Sequence, residues 1–132
     1  MSATESTASA TPAIVYHGVA TIEMPQATLS ASAPDADVYE SSLLMWPRGL
    51  KGMMMAGVWE ACPGHLNGRR VGWAEICYII EGSATITTEG GAVEKIGPGD
   101  VLVLPEGWRG SWDIHAKVRK FFAFQRFENF QA

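Results

Sequence analysis

Gly99-Asp100-Val101-Leu102-Val103-Leu104-Pro105-Glu106-Gly107-Trp108-Arg109-Gly110-Ser111-Trp112 is the stretch from which the fold can be read. It opens on the tight turn Gly97-Pro98-Gly99-Asp100, where glycine supplies backbone angles closed to other residues. Val101 to Leu104 is a short apolar run of β-formers, the mark of a strand buried on a core face. Pro105 lacks the N–H that a ladder needs and ends that strand, and Gly107 lets the chain bend into the next one.

Working outward, Glu75-Ile76-Cys77-Tyr78-Ile79-Ile80-Glu81-Gly82 is a mostly apolar strand closed by a glycine. Ser83 to Thr88 alternates small or polar residues with Ala, Ile and Thr, and Glu89-Gly90-Gly91 supplies a hairpin turn. Runs of Val, Ile, Thr and aromatics between Gly or Pro predict strands at 38–46, 52–61, 74–81, 83–89, 92–96, 101–105, 108–114 and 117–127. There is no internal repeat and no amphipathic helix. Short strands at this spacing give an all-β fold, a sandwich or a small barrel.

The length of 132 residues fits one domain. An apolar fraction of 47% with 18% charged residues can bury a core, which excludes a chain disordered throughout. The net charge of −4 excludes a general affinity for nucleic acid or an anionic membrane, since both select a basic footprint. That charge is unevenly placed. Residues 1–47 carry Glu5, Glu23, Asp35, Asp37 and Glu40 and no base, whereas residues 48–132 hold all ten bases and nine acids, a balance of +1. The acidity of the whole chain thus leaves room for an electropositive pocket and an anionic ligand.

Residues 1–13 are rich in Ser, Thr and Ala, close with Pro12, and are expected to form a disordered, mobile tail ahead of a single domain over 14–132. Residues 24–37, with Pro25 and Pro34, read as a long loop wrapping another part of the molecule. No leader pattern opens the chain, and no apolar run approaches the ~20 residues that cross a bilayer. A cytoplasmic, reduced setting is the expectation, with Cys62 and Cys77 as free thiols.

Two spacings carry more than "all-β". Glu75 to Gly82 is a Glu, six residues, then Gly; Gly99 to Gly107 is Gly, five residues, Pro, one residue, Gly. In this order, with a hairpin between them, they resemble the two motifs of the cupin superfamily over about residues 52–127. The resemblance implies a double-stranded β-helix, the cupin jelly-roll barrel. Pro105 to Trp112, followed by Val118-Arg119-Lys120-Phe121 and preceded by Trp59-Glu60 and Pro63-Gly64, is similar to the subgroup that includes ureidoglycine aminohydrolase and the ethanolamine-utilisation cupins.

Metal-binding cupins place His-x-His just before the first-motif Glu and a further His three residues after the second-motif Gly. The corresponding stretch here is Gly68-Arg69-Arg70-Val71, and the last position is Gly110, so Glu75 alone remains. A first-row metal usually takes at least three protein ligands, so no cofactor is predicted. A divalent metal enters only as the lesser alternative, on Cys62, His65, Glu75 and Cys77, whose side chains are all competent zinc ligands. Cys77 reads more simply as a small buried hydrophobe.

The remaining candidates each have a bland reading beside the chemical one. Glu75, in an apolar strand, is either a general acid/base or a carboxylate bonded to Arg69 or Arg70. Strand alternation puts Val118, Lys120 and Phe122 on one face and Arg119, Phe121 and Ala123 on the other, without saying which is inside. Burial statistics favour a solvated Lys120; facing inward it would pair with Glu75. Trp59, Trp73, Trp108 and Trp112 serve a core or interface, or line a cleft, with Trp112 foremost because it adjoins Gly110. Arg69, Arg70 and Arg109 suit an anionic ligand, or ion pairs with Glu60, Glu106 or Asp113. His17 and His115 read as surface residues, and Met53 to Met55 as gap-fillers.

These residues point to a small, polar, anionic metabolite in the barrel mouth. In a metal-independent enzyme Glu75 is the acid/base, Lys120 its partner, Arg69 or Arg70 the anion anchor, and Trp112 a wall. The alternative is a non-catalytic binding or accessory module. No nucleic-acid or membrane partner is expected; a homodimer is, through Val38–Trp46 and Phe121–Phe130.

Overall fold

The computed structural model describes residues 10–49 and 53–127. Eight strands follow one another: β1 (Thr28–Leu29), β2 (Tyr39–Gly49), β3 (Met54–Ala61), β4 (Gly64–Arg69), β5 (Trp73–Thr88), β6 (Val93–Ile96), β7 (Val101–Leu104) and β8 (Arg109–Arg126). All pairings are antiparallel, and the described residues contain no helix. The result is the expected all-β jelly roll.

The long strand β8 organises the rest. Its C-terminal half lies between β3 and β5, and its N-terminal half between β4 and β5. The four separate strands expected at 74–81, 83–89, 108–114 and 117–127 are therefore two continuous ones. Gly82 does not end its strand; it bends it. The β5–β8 register shifts between Ile79 and Ala84, around Gly82 at φ +91°. The shift also changes which side chains face inward, from Glu75, Cys77 and Ile79 to Ala84 and Ile86. A Cβ on Gly82 would run into the Lys117 carbonyl, so the two strands approach more closely here than a side chain allows.

The turns at Glu89–Gly91 and Gly97–Asp100 form as read. Gly91 N–H donates to Thr88 O, and the Asp100 carboxylate accepts from Gly97 N–H at 2.8 Å. Strand β4 was not anticipated, because Gly64-His65-Leu66-Asn67-Gly68-Arg69 contains no β-branched residue. Pairing with β8 imposes it.

The core contains Val38, Ile79, Ile86, Leu104, Ile114 and Val118, packed with Trp108, Trp112 and Phe122. On the outer face Arg119 is buried too. It donates to Glu60 Oε2 (2.6 Å), Val19 O (2.9 Å) and Ile22 O (3.0 Å), while Ser41 Oγ donates to Pro25 O (2.6 Å). These bonds strap residues 19–25 across β2 and β8. The loop after β1 runs along the open side of β4, where Asn67 N–H donates to Ser32 O; this is the wrapping expected of residues 24–37.

Of the tail expected at 1–13, residues 1–9 lie outside the described residues. Of the surfaces expected to pair two copies, Tyr39, Leu44, Trp46 and Phe121 are exposed, Val38 is core, and residues 128–130 lie outside the described residues. No helix among the described residues is long and apolar enough to cross a membrane.

Gly82→Ala should lower stability by about 3 kcal/mol, from a positive φ and a backbone collision together. Gly90→Ala, also at positive φ but facing open space, should cost about 1 kcal/mol. Urea denaturation of the two variants checks this; equal midpoints would contradict it.

Candidate functional site

Strand β5 turns Glu75 inward, leaving it 1% exposed, and β8 turns Lys120 inward at 5%. The expectation of a solvated Lys120 is corrected here. Pairing Ile79 with Lys120 and Cys77 with Phe122 puts the face of Val118, Lys120 and Phe122 inside. The Lys120 backbone lies opposite Ile79, but its long side chain reaches along the strand to Glu75, with Nζ 2.5 Å from Oε2.

Arg70 closes the other side. Its Nη2 and Nε donate to Glu75 Oε1 at 2.6 and 3.2 Å, and its Nη1 donates to Arg69 O at 3.0 Å. The guanidinium lies 4.4 Å from the Trp73 ring centre and 5.6 Å from that of Trp108. Lys120 Nζ lies 4.6 Å from the Trp59 ring and 4.7 Å from that of Trp112. Both cations therefore rest on aromatic faces, which attract positive charge through the ring quadrupole. The carboxylate and its two cations carry a net +1.

Burial alone would raise the Glu75 carboxyl, but the charges of Lys120 and Arg70, with their hydrogen bonds, outweigh it and hold the group below its usual 4.5. Glu75 is thus ionised near neutral pH, and each of its oxygens already accepts from a cation.

The triad forms one wall of a cavity of about 920 Å³. The same cavity is lined by Arg69, Trp59, Trp73 and Trp112, so seven of the nine residues singled out for catalysis or binding meet there. Arg109 is exposed and lines a separate, smaller hollow. Trp108 does not face the cavity either. Its indole is buried, donates from Nε1 to Thr88 Oγ1 at 3.0 Å, and backs Arg70 from behind. The reading from sequence missed Phe122, Phe124, Met55 and Leu66 in the lining, together with Ser32 and Pro34 from the loop. Phe122 shares a face with Lys120, and that alternation was the available signal.

The family model described as the EutQ-like cupin domain matches residues 48–122, more than half of the chain. The chain belongs to that family. Among solved structures it is similar to a protein of unknown function from Pseudomonas syringae pv. tomato, at 20% identity and TM-score 0.64, over 78% of this chain and 43% of that one. It therefore spans less than half of that protein's length. It is also similar to the EutQ protein of Clostridium difficile, at 15% identity and TM-score 0.57, over 73% and 74% of the two chains. An ectoine synthase from P. lautus matches at 20% identity and TM-score 0.60, over 66% and 64%. These likenesses are of fold. A comparison with curated proteins finds no match.

The metal that other cupins hold does not fit the residues of this EutQ-like cupin. Both Glu75 oxygens are bonded to cations, and a Cβ at Gly110 would run into the Thr87 carbonyl and lie 2.7 Å from the Trp108 ring. The alternative set is also corrected. His65 lies on the outer face, with Nδ1 2.5 Å from Asp113 Oδ1 and Nε2 3.1 Å from Asn67 Oδ1. Cys62 Sγ accepts from the Tyr39 N–H at 3.2 Å. Cys77 is buried in the core, its thiol pushed up to about 11 by that burial. Among the described residues no three His, Cys, Asp or Glu side chains converge as a metal would need.

Glu75→Gln leaves two buried cations without a counter-charge, and should cost about 3–5 kcal/mol at neutral pH. Because the folded-state pKa is depressed, the wild-type contribution is present above pH 4.5 and is lost as pH falls through the folded value. Stability measured against pH should therefore fall less steeply below pH 4.5 in Glu75→Gln than in wild type.

The hydrogen bond to Asp113 raises His65 above its usual 6.5. Its contribution to stability is full below pH 6.5 and is lost as pH rises through the folded value. An NMR titration should place His65 above 6.5 in wild type and return it toward 6.5 in Asp113→Asn; a midpoint unmoved by that substitution would refute the assignment.

Proposed function

We propose that this EutQ-like cupin binds a small organic anion in its 920 Å³ cavity, with the Lys120 ammonium as the principal contact. One observation carries the reading. Lys120 is a buried cation on the cavity wall with three N–H donors, and Glu75 is the one hydrogen-bond acceptor it has among the described residues. The low-dielectric surroundings strengthen its attraction for a carboxylate. Trp59, Trp112, Phe122 and Phe124 offer apolar surface to the body of the ligand.

In this reading the roles shift between the two central residues. Glu75 is a fixed counter-charge that holds Lys120 in place, and Arg70 positions Glu75. Lys120 touches the ligand. Arg70 is spent on Glu75 and the Arg69 carbonyl, so the outer arginine, Arg69, is the better anchor at the mouth.

A catalytic reading is favoured by the same contact. An ammonium held 2.5 Å from a carboxylate is fixed in place, with its other N–H groups free to hydrogen-bond a ligand atom that gains negative charge. In that reading Lys120 stabilises the developing charge as a fixed ammonium and keeps its proton. The non-catalytic alternative uses the same cavity without that step.

A thermal-shift and calorimetric panel of small monocarboxylates tests the binding. Wild type should bind at least one of them, and Lys120→Met should weaken it by at least about tenfold, the order of one charge-assisted hydrogen bond. Lys120→Met leaves Glu75 paired with Arg70, so the variant should fold. Binding unchanged in that variant, or no binding in wild type, would overturn the proposal. Product formation from a bound ligand, lost in Lys120→Met, would favour the catalytic reading.

A further inference from the structure

The cavity of about 920 Å³ is far larger than a short acid such as propionate would fill, and clefts of this size hold ligands with a substantial apolar body. The register of the sheet shows where such a body can lie. Along β2 the side chains that reach the cavity change from Glu40 and Ser42 to Leu44. Ser42 stands opposite Trp59, and Trp59 opposite Lys120. One row further on, Leu44 stands opposite Gly57, and Gly57 opposite Phe122. The row after that runs from Met55 to Phe124 and on to Glu75. Residues two apart on a strand share a face and lie about 7 Å apart. Leu44, Met55, Phe122 and Phe124 thus make one apolar wall of the cavity, next to the row that carries the charge.

Lys120 does not stay in its own row. Its ammonium is bonded to Glu75 Oε2, and Glu75 is the cross-strand partner of Phe124. The charge is thereby delivered to the border of the apolar wall. Both belong to the same cavity and the same face of the sheet, so one ligand reaches both without crossing a strand.

The rings of the cavity divide by role. Trp59 and Trp112 carry Lys120 on their faces, and Trp73 carries Arg70. Among the described residues Phe122 and Phe124 carry no cation. They stack on each other with ring centres 4.6 Å apart and planes at 29°, and Trp73 meets Phe124 edge-on, at 4.6 Å and 66°. Phe124 and Met55 are half-buried, and Leu44 is 46% exposed. Apolar surface this open on a cavity wall gains from being covered. A further ring extends the stacked and edge-on packing, and aromatic pairs gain beyond the area that they bury.

We propose that the ligand of this cupin is an aromatic monocarboxylate: its carboxylate accepts from Lys120, and its ring lies along Leu44, Met55 and Phe124. This rests on the reading of the cavity as an anion site and deepens it by naming the ligand class.

The test is calorimetry on the full chain with four probes: propionate, 3-phenylpropionate, 3-cyclohexylpropionate and the uncharged 3-phenylpropanamide. Wild type should bind phenylpropionate at least about tenfold more tightly than propionate, from the apolar area covered, and at least about threefold more tightly than the cyclohexyl acid, from ring-on-ring packing. The amide should bind at least about tenfold more weakly than phenylpropionate. Leu44→Asn and Met55→Gln should each lower the ratio of phenylpropionate to propionate binding by at least about threefold, whereas Val93→Asn, on exposed β6 away from the cavity, should keep it. Equal binding of propionate and phenylpropionate, a cyclohexyl acid that binds as well as the phenyl one, or a ratio untouched by Leu44→Asn and Met55→Gln or lowered equally by all three variants would overturn this inference and leave the anion site standing. Failure of wild type to bind any probe, or equal binding of the amide and the carboxylate, would overturn both.

Discussion

Glu75 brings a negative charge into a wall of aromatic and aliphatic groups, where an unpaired carboxylate would be too costly to keep ionised. Arg70 and Lys120 remove that cost from opposite sides, and the aromatic rings of Trp73, Trp59 and Trp112 support the two cations in turn. The arrangement links three parts of the chain: the segment between β4 and β5, strand β5 itself, and β8. It fixes how those parts sit around the cavity, and it leaves one positive charge in excess. The engaged carboxylate oxygens, the poor fit to a metal and the proposal of an anion site all follow from that one cluster.

Fold and site chemistry are set by different residues, and the structure shows where they separate. The turns, the bend of β5 at Gly82 and the pairing of β7 with β5 build the sheet of this chain. They act through the backbone and do not depend on what lies in the cavity. At the position where metal-binding cupins carry their last histidine, Gly110 is packed against Thr87 and Trp108. A lysine ammonium instead rests against the retained glutamate. The same fold thus presents a fixed organic cation, held by its own strand.

Much of this was legible in the sequence, for physical reasons. Gly99 to Gly107 is local chemistry, so the turn, the strand and its end could be read without knowing the partners. Glu75 stood out because an acid in an apolar strand demands an explanation. Lys120 was ambiguous because strand alternation yields two faces and no preference between them. The register with β5, a long-range property, decides which one is inside. Strand β4 and the burial of Arg119 were hidden for a related reason: the first is imposed by pairing with β8, and the second by residues 19–25 folding back across the sheet. Trp108 was open between core and cleft, since sequence gives no side-chain direction for it; its side chain packs in the core behind Arg70.

The most direct measurement is a carbon-13 NMR titration of the Glu75 side-chain carboxyl in the folded protein. The account predicts a midpoint below 4.5 in wild type, moving upward when Lys120 is replaced by Met, since the field of that ammonium is one of the forces holding it down. A midpoint at or above 4.5 in wild type, or one indifferent to the loss of Lys120, would contradict a carboxylate held ionised between two cations.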